Sequence, residues 1–260
     1  MYLLILFMLS ALPVVLVATF IYMKDKNKEP SKLLLKLFLG GCLSVIITLF
    51  LSLILELLVP LFRIDTDKLN LIELLFYVFI KIALVEEFAK WIITYKFSYN
   101  DPNLDEVYDM IVYSVFVALG FAFVENLLYV FQGGIGTGII RALLAVPGHA
   151  CDGVVMGYYL GLAKLSDINN NFKLNKKNLI LSIFVPTIMH GIYDYCLFTG
   201  NFLFVIIFFI FVLVVYIVTL KKIKRLSSIK RKMKYKDNYC GECGTIVNTN
   251  YCPVCGRKND

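Results

Sequence analysis

The stretch Leu84-Val85-Glu86-Glu87-Phe88-Ala89-Lys90-Trp91 (LVEEFAKW) puts two adjacent carboxylates and a lysine inside a run otherwise fit for lipid. A spanning helix needs about 20 mostly apolar residues. About seven runs reach that length, at roughly 2–23, 33–59, 71–95, 108–131, 138–163, 179–198 and 201–220. The chain is 59% hydrophobic and 17% charged, with a mean hydropathy of +0.76. A soluble chain of this size cannot hide so much apolar surface. The sequence therefore predicts an all-α polytopic membrane protein of about seven transmembrane helices. The first run lacks a basic start and a small-x-small cleavage site, so it reads as a helix and not as a removable leader.

Lysine and arginine in the short loops set the orientation. Lys24, Lys26, Lys28 and Lys32 follow the first run, Lys96 the third, and Lys164, Lys173, Lys176 and Lys177 the fifth. The segment after the last run is dense in positive charge, whereas the other side offers only Arg63 and Lys68. This bias places the protein in the plasma membrane with its N-terminus outside and its C-terminus in the cytoplasm. The net charge of +7 lies mainly on the cytoplasmic side and points to anionic lipid headgroups. Nucleic acid is a poorer partner, because the basic run abuts a membrane helix.

Three parts follow: a transmembrane domain over 1–220, a basic linker over 221–238 and a small unit over 239–260. In that last unit Cys240 and Cys243 form one C-x-x-C, and Cys252 and Cys255 form another. Two such knuckles place four thiolates for a tetrahedral structural Zn²⁺, and cytoplasmic thiols stay reduced. A unit this short has no core of its own, so metal should hold it folded. All four ligand positions are filled, so the ribbon reads as a docking module for a cytoplasmic partner. Cys42, Cys151 and Cys196 lie in apolar runs as small fillers.

Within the spans, ionisable groups gather on the third to sixth: Glu73, Lys81, Glu86, Glu87 and Lys90; Glu125; Arg141, His149 and Asp152; His190 and Asp194. A charge at the bilayer centre costs about 2.5 kcal/mol or more unless it is paired or wetted. Four helices can enclose a polar site while the others shield it. Lys90 stands four residues after Glu86 and three after Glu87, within pairing distance of both, and can neutralise only one. His190 and Asp194 are one turn apart. Arg141 is a candidate partner for a carboxylate. His149 shares a face with Gly153, Gly157 and Gly161, small residues that admit a close neighbour. At about 1.5 Å of rise per residue, Glu86, His149 and His190 reach the midplane, with Glu125 nearer the outer mouth. Pro147 and Pro186 precede the two histidines and are expected to bend their helices.

Carboxylates and two histidines in a wet membrane cavity suit hydrolysis, with a glutamate taking a proton from water and a histidine holding the oxyanion. A serine or cysteine route fits less well, since neither Ser114 nor Cys151 has a fixed base. The motifs VEEFAK, LGFAFVEN, RALLAVPGHACDG and HGIYD, in that order on successive helices, resemble those of the PrsW-type intramembrane proteases, which are similar in turn to the CAAX-protease and bacteriocin-processing group. The resemblance covers about residues 70–198. It implies a four-helix catalytic core and a glutamate-dependent peptidase acting on membrane-anchored proteins, in one branch an anti-sigma factor cut at its extracytoplasmic side. By position it implies Glu86 and Glu87 as the paired glutamates, Glu125 with Phe121 as a Phe-x-x-x-Glu motif, His149 and His190 as the histidines and Asp194 as the last acid. Ser114 departs from a glycine common there, and the zinc ribbon lies outside the resemblance.

Two mechanisms stay open. In one, no metal takes part. In the other, His149, His190 and one glutamate bind Zn²⁺ and the second glutamate is the base. The lack of an H-E-x-x-H motif points to the first. A proton-coupled transporter would carry similar buried charges, but no inverted repeat is visible. A non-catalytic sensor or immunity protein of the same fold is the other alternative.

Overall fold

The computed structural model describes residues 1–228, 245, 251, 252 and 254–258. Of the four ribbon cysteines, Cys240 and Cys243 lie outside the described residues. Eight α-helices run through the membrane part: α1 (Tyr2–Lys24), α2 (Ser31–Leu58), α3 (Leu71–Phe76), α4 (Val85–Ser98), α5 (Val107–Leu143), α6 (Ala145–Ile168), α7 (Phe172–Phe198) and α8 (Phe202–Leu226). Between α3 and α4 the chain is π-helical over Tyr77–Leu84. Among the described residues there is no strand, only an isolated bridge between Tyr251 and Lys258.

Among the described residues five stretches are long and apolar enough to cross a membrane: α1, α2, the continuous Val107–Ile168, α7 and α8. Val107–Ile168 is two legs. Gly134 adopts φ 75°, a left-handed conformation that glycine takes without steric cost. Past it the chain runs back, so that Arg141 Nε donates to Asn126 Oδ1 at 2.7 Å. The third expected span is helical from Leu71 to Ser98 but carries too many charges to count with the five. Two of these charges serve architecture. Glu73 completes a capping box with Asn70 at the start of α3. Lys81 Nζ pairs with Glu56 at 2.8 Å and donates to the Phe62 carbonyl at 2.7 Å, tying this segment to the end of α2.

α5 is the axle. Its residues Tyr108–Ser114 are buried without a break. Backbones meet directly where glycines allow it: a Cβ on Gly41 of α2 would lie 2.0 Å from the Val117 carbonyl oxygen, and one on Gly120 would lie 2.0 Å from that of Phe38. The expected row on α6 behaves likewise. Gly153, Gly157 and Gly161 rest on Val115, Ile111 and Val107 of α5, with Gly157 tightest at 2.5 Å from the Met110 oxygen. This contact turns α6 so that His149 and Asp152 face inward, both buried. Large side chains of α8 such as Phe202, Phe209, Ile210 and Leu213 are exposed, the surface a lipid-facing helix presents.

One expectation is corrected. Pro147 bends no helix. The chain breaks at Leu144 and α6 begins at Ala145, which puts Pro147 in a first turn, where its missing N–H costs nothing. Pro186 does lie inside α7.

Gly157→Ala is expected to lower stability by about 1–3 kcal/mol through overpacking. Gly136→Ala, with nothing within 4 Å of the added carbon, should be close to neutral. Thermal melts of the two variants in one detergent check this.

Candidate active site

The π-helical segment ends one residue before α4, whose first turn carries Glu86 and Glu87. Inserting such turns shifts the face that follows, and π segments recur at functional sites. Here the two glutamates meet α5, α6 and α7. The carboxyl group of Glu87 is fully buried. Its Oε1 accepts from Lys90 Nζ at 2.7 Å and lies 2.8 Å from His190 Nδ1. Lys90 pairs with Glu87 and lies farther, 3.6 Å, from Glu86. Its ammonium is 3.2 Å from His149 Nδ1 and stands 4.2 Å from the centre of the Phe121 ring.

The far side of His149 continues the chain of contacts. Its Nε2 is 2.7 Å from Glu125 Oε2, and that oxygen is 3.0 Å from an Arg141 nitrogen. On α7, His190 Nε2 faces Asp194 at 3.2 Å and Glu86 at 3.8 Å. The two imidazole rings lie edge to face, 5.4 Å apart. Charged and imidazole side chains thus form one continuous chain of contacts across four helices: Arg141, Glu125, His149, Lys90, Glu87, His190, Asp194.

A cavity of about 50 Å³ opens beside this chain, lined by Glu125, Arg141, Gly148, His149, His190 and Asp194 among others. That is room for more than one water. Glu86 Oε2 is buried and accepts no hydrogen bond; a carboxylate oxygen of Glu86 lies within 4.8 Å of a Glu125 oxygen and a His149 ring nitrogen.

All six expected membrane residues converge here, namely Glu86, Glu87, Glu125, His149, His190 and Asp194. Reading the sequence left Arg141 and Asp152 undecided. Arg141 pairs with Glu125, and Asp152 lines the cavity. Tyr193, which also lines it, went unnoticed. Its place one residue before Asp194 on α7 was the only available signal.

Residues 29–220 match the PrsW family of intramembrane metalloproteases. The chain belongs to that family. It is 36% identical over 215 residues to the protease PrsW of Oceanobacillus iheyensis, covering 83% of this chain and 93% of that one. With the Bacillus subtilis protease PrsW it shares 37% over 187 residues, 71% of this chain and 79% of the other. With that of Clostridioides difficile it shares 30% over 238 residues, 88% and 94% of the two chains. No solved structure matches. As a PrsW-family member the protein is an intramembrane peptidase in a multi-pass membrane protein.

The family is one of metalloproteases, and a divalent ion needs several lone-pair donors converging on one point. Donor atoms of Glu87, His149, Asp152 and His190 lie within 4.8 Å of one another, as do those of Glu86, Glu125 and His149. Oxygen and imidazole donors suit Zn²⁺ in kind. Each group already holds a side-chain cation: Lys90 touches Glu87 and His149 in the first, and Arg141 touches Glu125 in the second. As arranged, the residues do not fit a bound divalent ion.

Removing one partner of a buried pair strands the other, at a cost of about 3–5 kcal/mol. Glu87→Ala is therefore expected to destabilise the fold by about that much, whereas Glu86→Gln, which breaks no hydrogen bond, should melt close to the parent. Denaturation of the two purified variants separates them.

Proposed function

We propose that this protein cleaves membrane-anchored proteins by glutamate-activated water, with Glu86 as the general base. One observation carries the choice of Glu86 over Glu87. Each glutamate has a buried Oε2 without a hydrogen bond, but Glu87 is fully buried with its Oε1 held by Lys90 and His190, while the Glu86 side chain is 13% exposed and lies beside the cavity-lining Glu125 and His149. A water in the cavity gives its proton to Glu86 as its oxygen adds to the scissile carbonyl. The histidines then hold the oxygen that becomes negative. The proton on Glu86 passes to the departing amine, and the carboxylate is restored. Glu125 anchors His149, and Asp194 anchors His190. No step runs through a metal.

The substrate reading follows from the family resemblance: a membrane-anchored anti-sigma factor, cut toward its extracytoplasmic side. The lysine bias supports an N-terminus outside, a cytoplasmic C-terminus and anionic lipid at the cytoplasmic face.

Spacing of the four cysteines supports a structural zinc at Cys240, Cys243, Cys252 and Cys255. The second knuckle has suitable local form: the Val254 amide donates to Cys252 Sγ at 3.4 Å, and Gly256 turns with φ 73°. Such a unit would present a rigid surface to a cytoplasmic partner.

Glu86→Gln keeps shape and removes the base, so it should lower kcat by about 10²–10⁴-fold in a reconstituted cleavage assay with unchanged melting. Parental activity in this variant would sink the assignment. For the ribbon, metal analysis of the intact chain should give one zinc. Cys252→Ser with Cys255→Ser should lose that zinc and keep cleavage of a short substrate in detergent.

A further inference from the structure

Lys90 lies deeper than any role as a neutralising partner requires. Its side chain is 1% exposed, and its ammonium reaches past Glu87 to the ring of a helix 59 residues away in sequence, 3.2 Å from His149 Nδ1. An ammonium has protons to give and no lone pair, so it can only donate. His149 Nδ1 must therefore accept, and a neutral imidazole that accepts at one nitrogen carries its proton on the other. That other nitrogen, Nε2, faces Glu125 at 2.7 Å. A carboxylate is a pure acceptor, so both neighbours of the ring demand the same tautomer.

Glu87 imposes the opposite on the second histidine. Its Oε1 accepts and lies 2.8 Å from His190 Nδ1, so His190 bears a proton on Nδ1. One Lys90–Glu87 pair thus contacts both rings: it fixes the His149 proton on Nε2 and a His190 proton on Nδ1, while His190 Nε2 faces a second carboxylate, Asp194, at 3.2 Å. Phe121 holds the arrangement in place. Its ring packs under the ammonium at 4.2 Å and meets His149 edge to face at 5.7 Å.

We propose that Lys90 is a positioning residue that locks His149 with Nδ1 as acceptor and its proton on Nε2, held on Glu125 at the cavity wall, where an oxyanion formed beside Glu125 can share or take over that hydrogen bond. This rests on the hydrolytic reading above and adds the group that orients its donor. It also accounts for the poor fit to metal, because a protonated Nε2 has no lone pair to offer an ion.

The chain has only two histidines, so ¹⁵N-histidine labelling of the full-length protein yields two rings to assign, with His190→Asn as the assignment control. The expected spectrum shows His149 with a lone-pair-type Nδ1 and an N–H at Nε2, and His190 with an N–H at Nδ1. An N–H at Nδ1 of His149 in the parent overturns the proposal, whatever the activity. In Lys90→Met, His149 should become a mixture of tautomers, kcat should fall by about 10²–10³-fold as for a lost oxyanion donor, and KM should hold. A Lys90→Met protein that retains its fold, the parental tautomer and the parental kcat also overturns it. If Lys90→Met does not fold, the parental spectrum still decides. The outcomes separate from those of the catalytic reading: an active Glu86→Gln protein would refute that base while leaving the His149 spectrum unchanged.

Discussion

An ammonium and a carboxylate meet at 2.7 Å between the helices of a lipid-soluble bundle, Lys90 with Glu87. Either charge alone would be prohibitive there, since each costs a few kcal/mol or more at the bilayer centre. Together, and with His149 and His190 as further neighbours, they become the internal frame of a polar site. The rest of the chain of charge extends outward from this pair toward the cavity, ending in Arg141 on one side and Asp194 on the other. In the proposed mechanism the pair supports the chemistry, and Glu86, to whose Oε2 no hydrogen bond is made, is the base.

The packing of the fold exists to bring that frame together. Glycines at 41, 120, 153, 157 and 161 let α2 and α6 touch the backbone of α5, so rotation about the helix axes is fixed closely. A backbone contact tolerates little adjustment, and this precision places His149 within hydrogen-bond reach of both Lys90 and Glu125. Gly134 turns the chain so that Arg141 arrives beside Glu125. The π-helical segment before α4 supplies the remaining degree of freedom, setting which face presents the two glutamates. The outer helices, α8 above all, shield the assembly with large apolar side chains.

Much of this was legible in the sequence. Apolar run length gave the all-α membrane fold, and the confinement of charge to runs three to six located the site. The i,i+4 relation of His190 and Asp194 and the glycine row after His149 both correspond to contacts in the fold. What stayed hidden has physical causes. The π-helical turns leave no mark in composition, because hydrophobic periodicity cannot separate them from a regular helix. The break at Leu144 rests on the backbone angles of one ordinary residue, φ −117° and ψ −56°, which composition does not reveal, so from the sequence Pro147 reads as a kink inside a longer helix. Whether Lys90 chose Glu86 or Glu87 was undecidable from spacing alone, since both are neighbours on a helix surface. The choice comes from His190, on a helix a hundred residues later.

The central claim is that water, activated by a carboxylate of this site, attacks the peptide bond directly. A single turnover in H₂¹⁸O tests it, with the purified protein and a membrane-anchored substrate in the same liposomes. Mass spectrometry of the new C-terminus should find one ¹⁸O in its carboxylate. A product carrying only ¹⁶O would mean that a glutamate carboxylate itself attacked and gave up its oxygen, and would contradict the account.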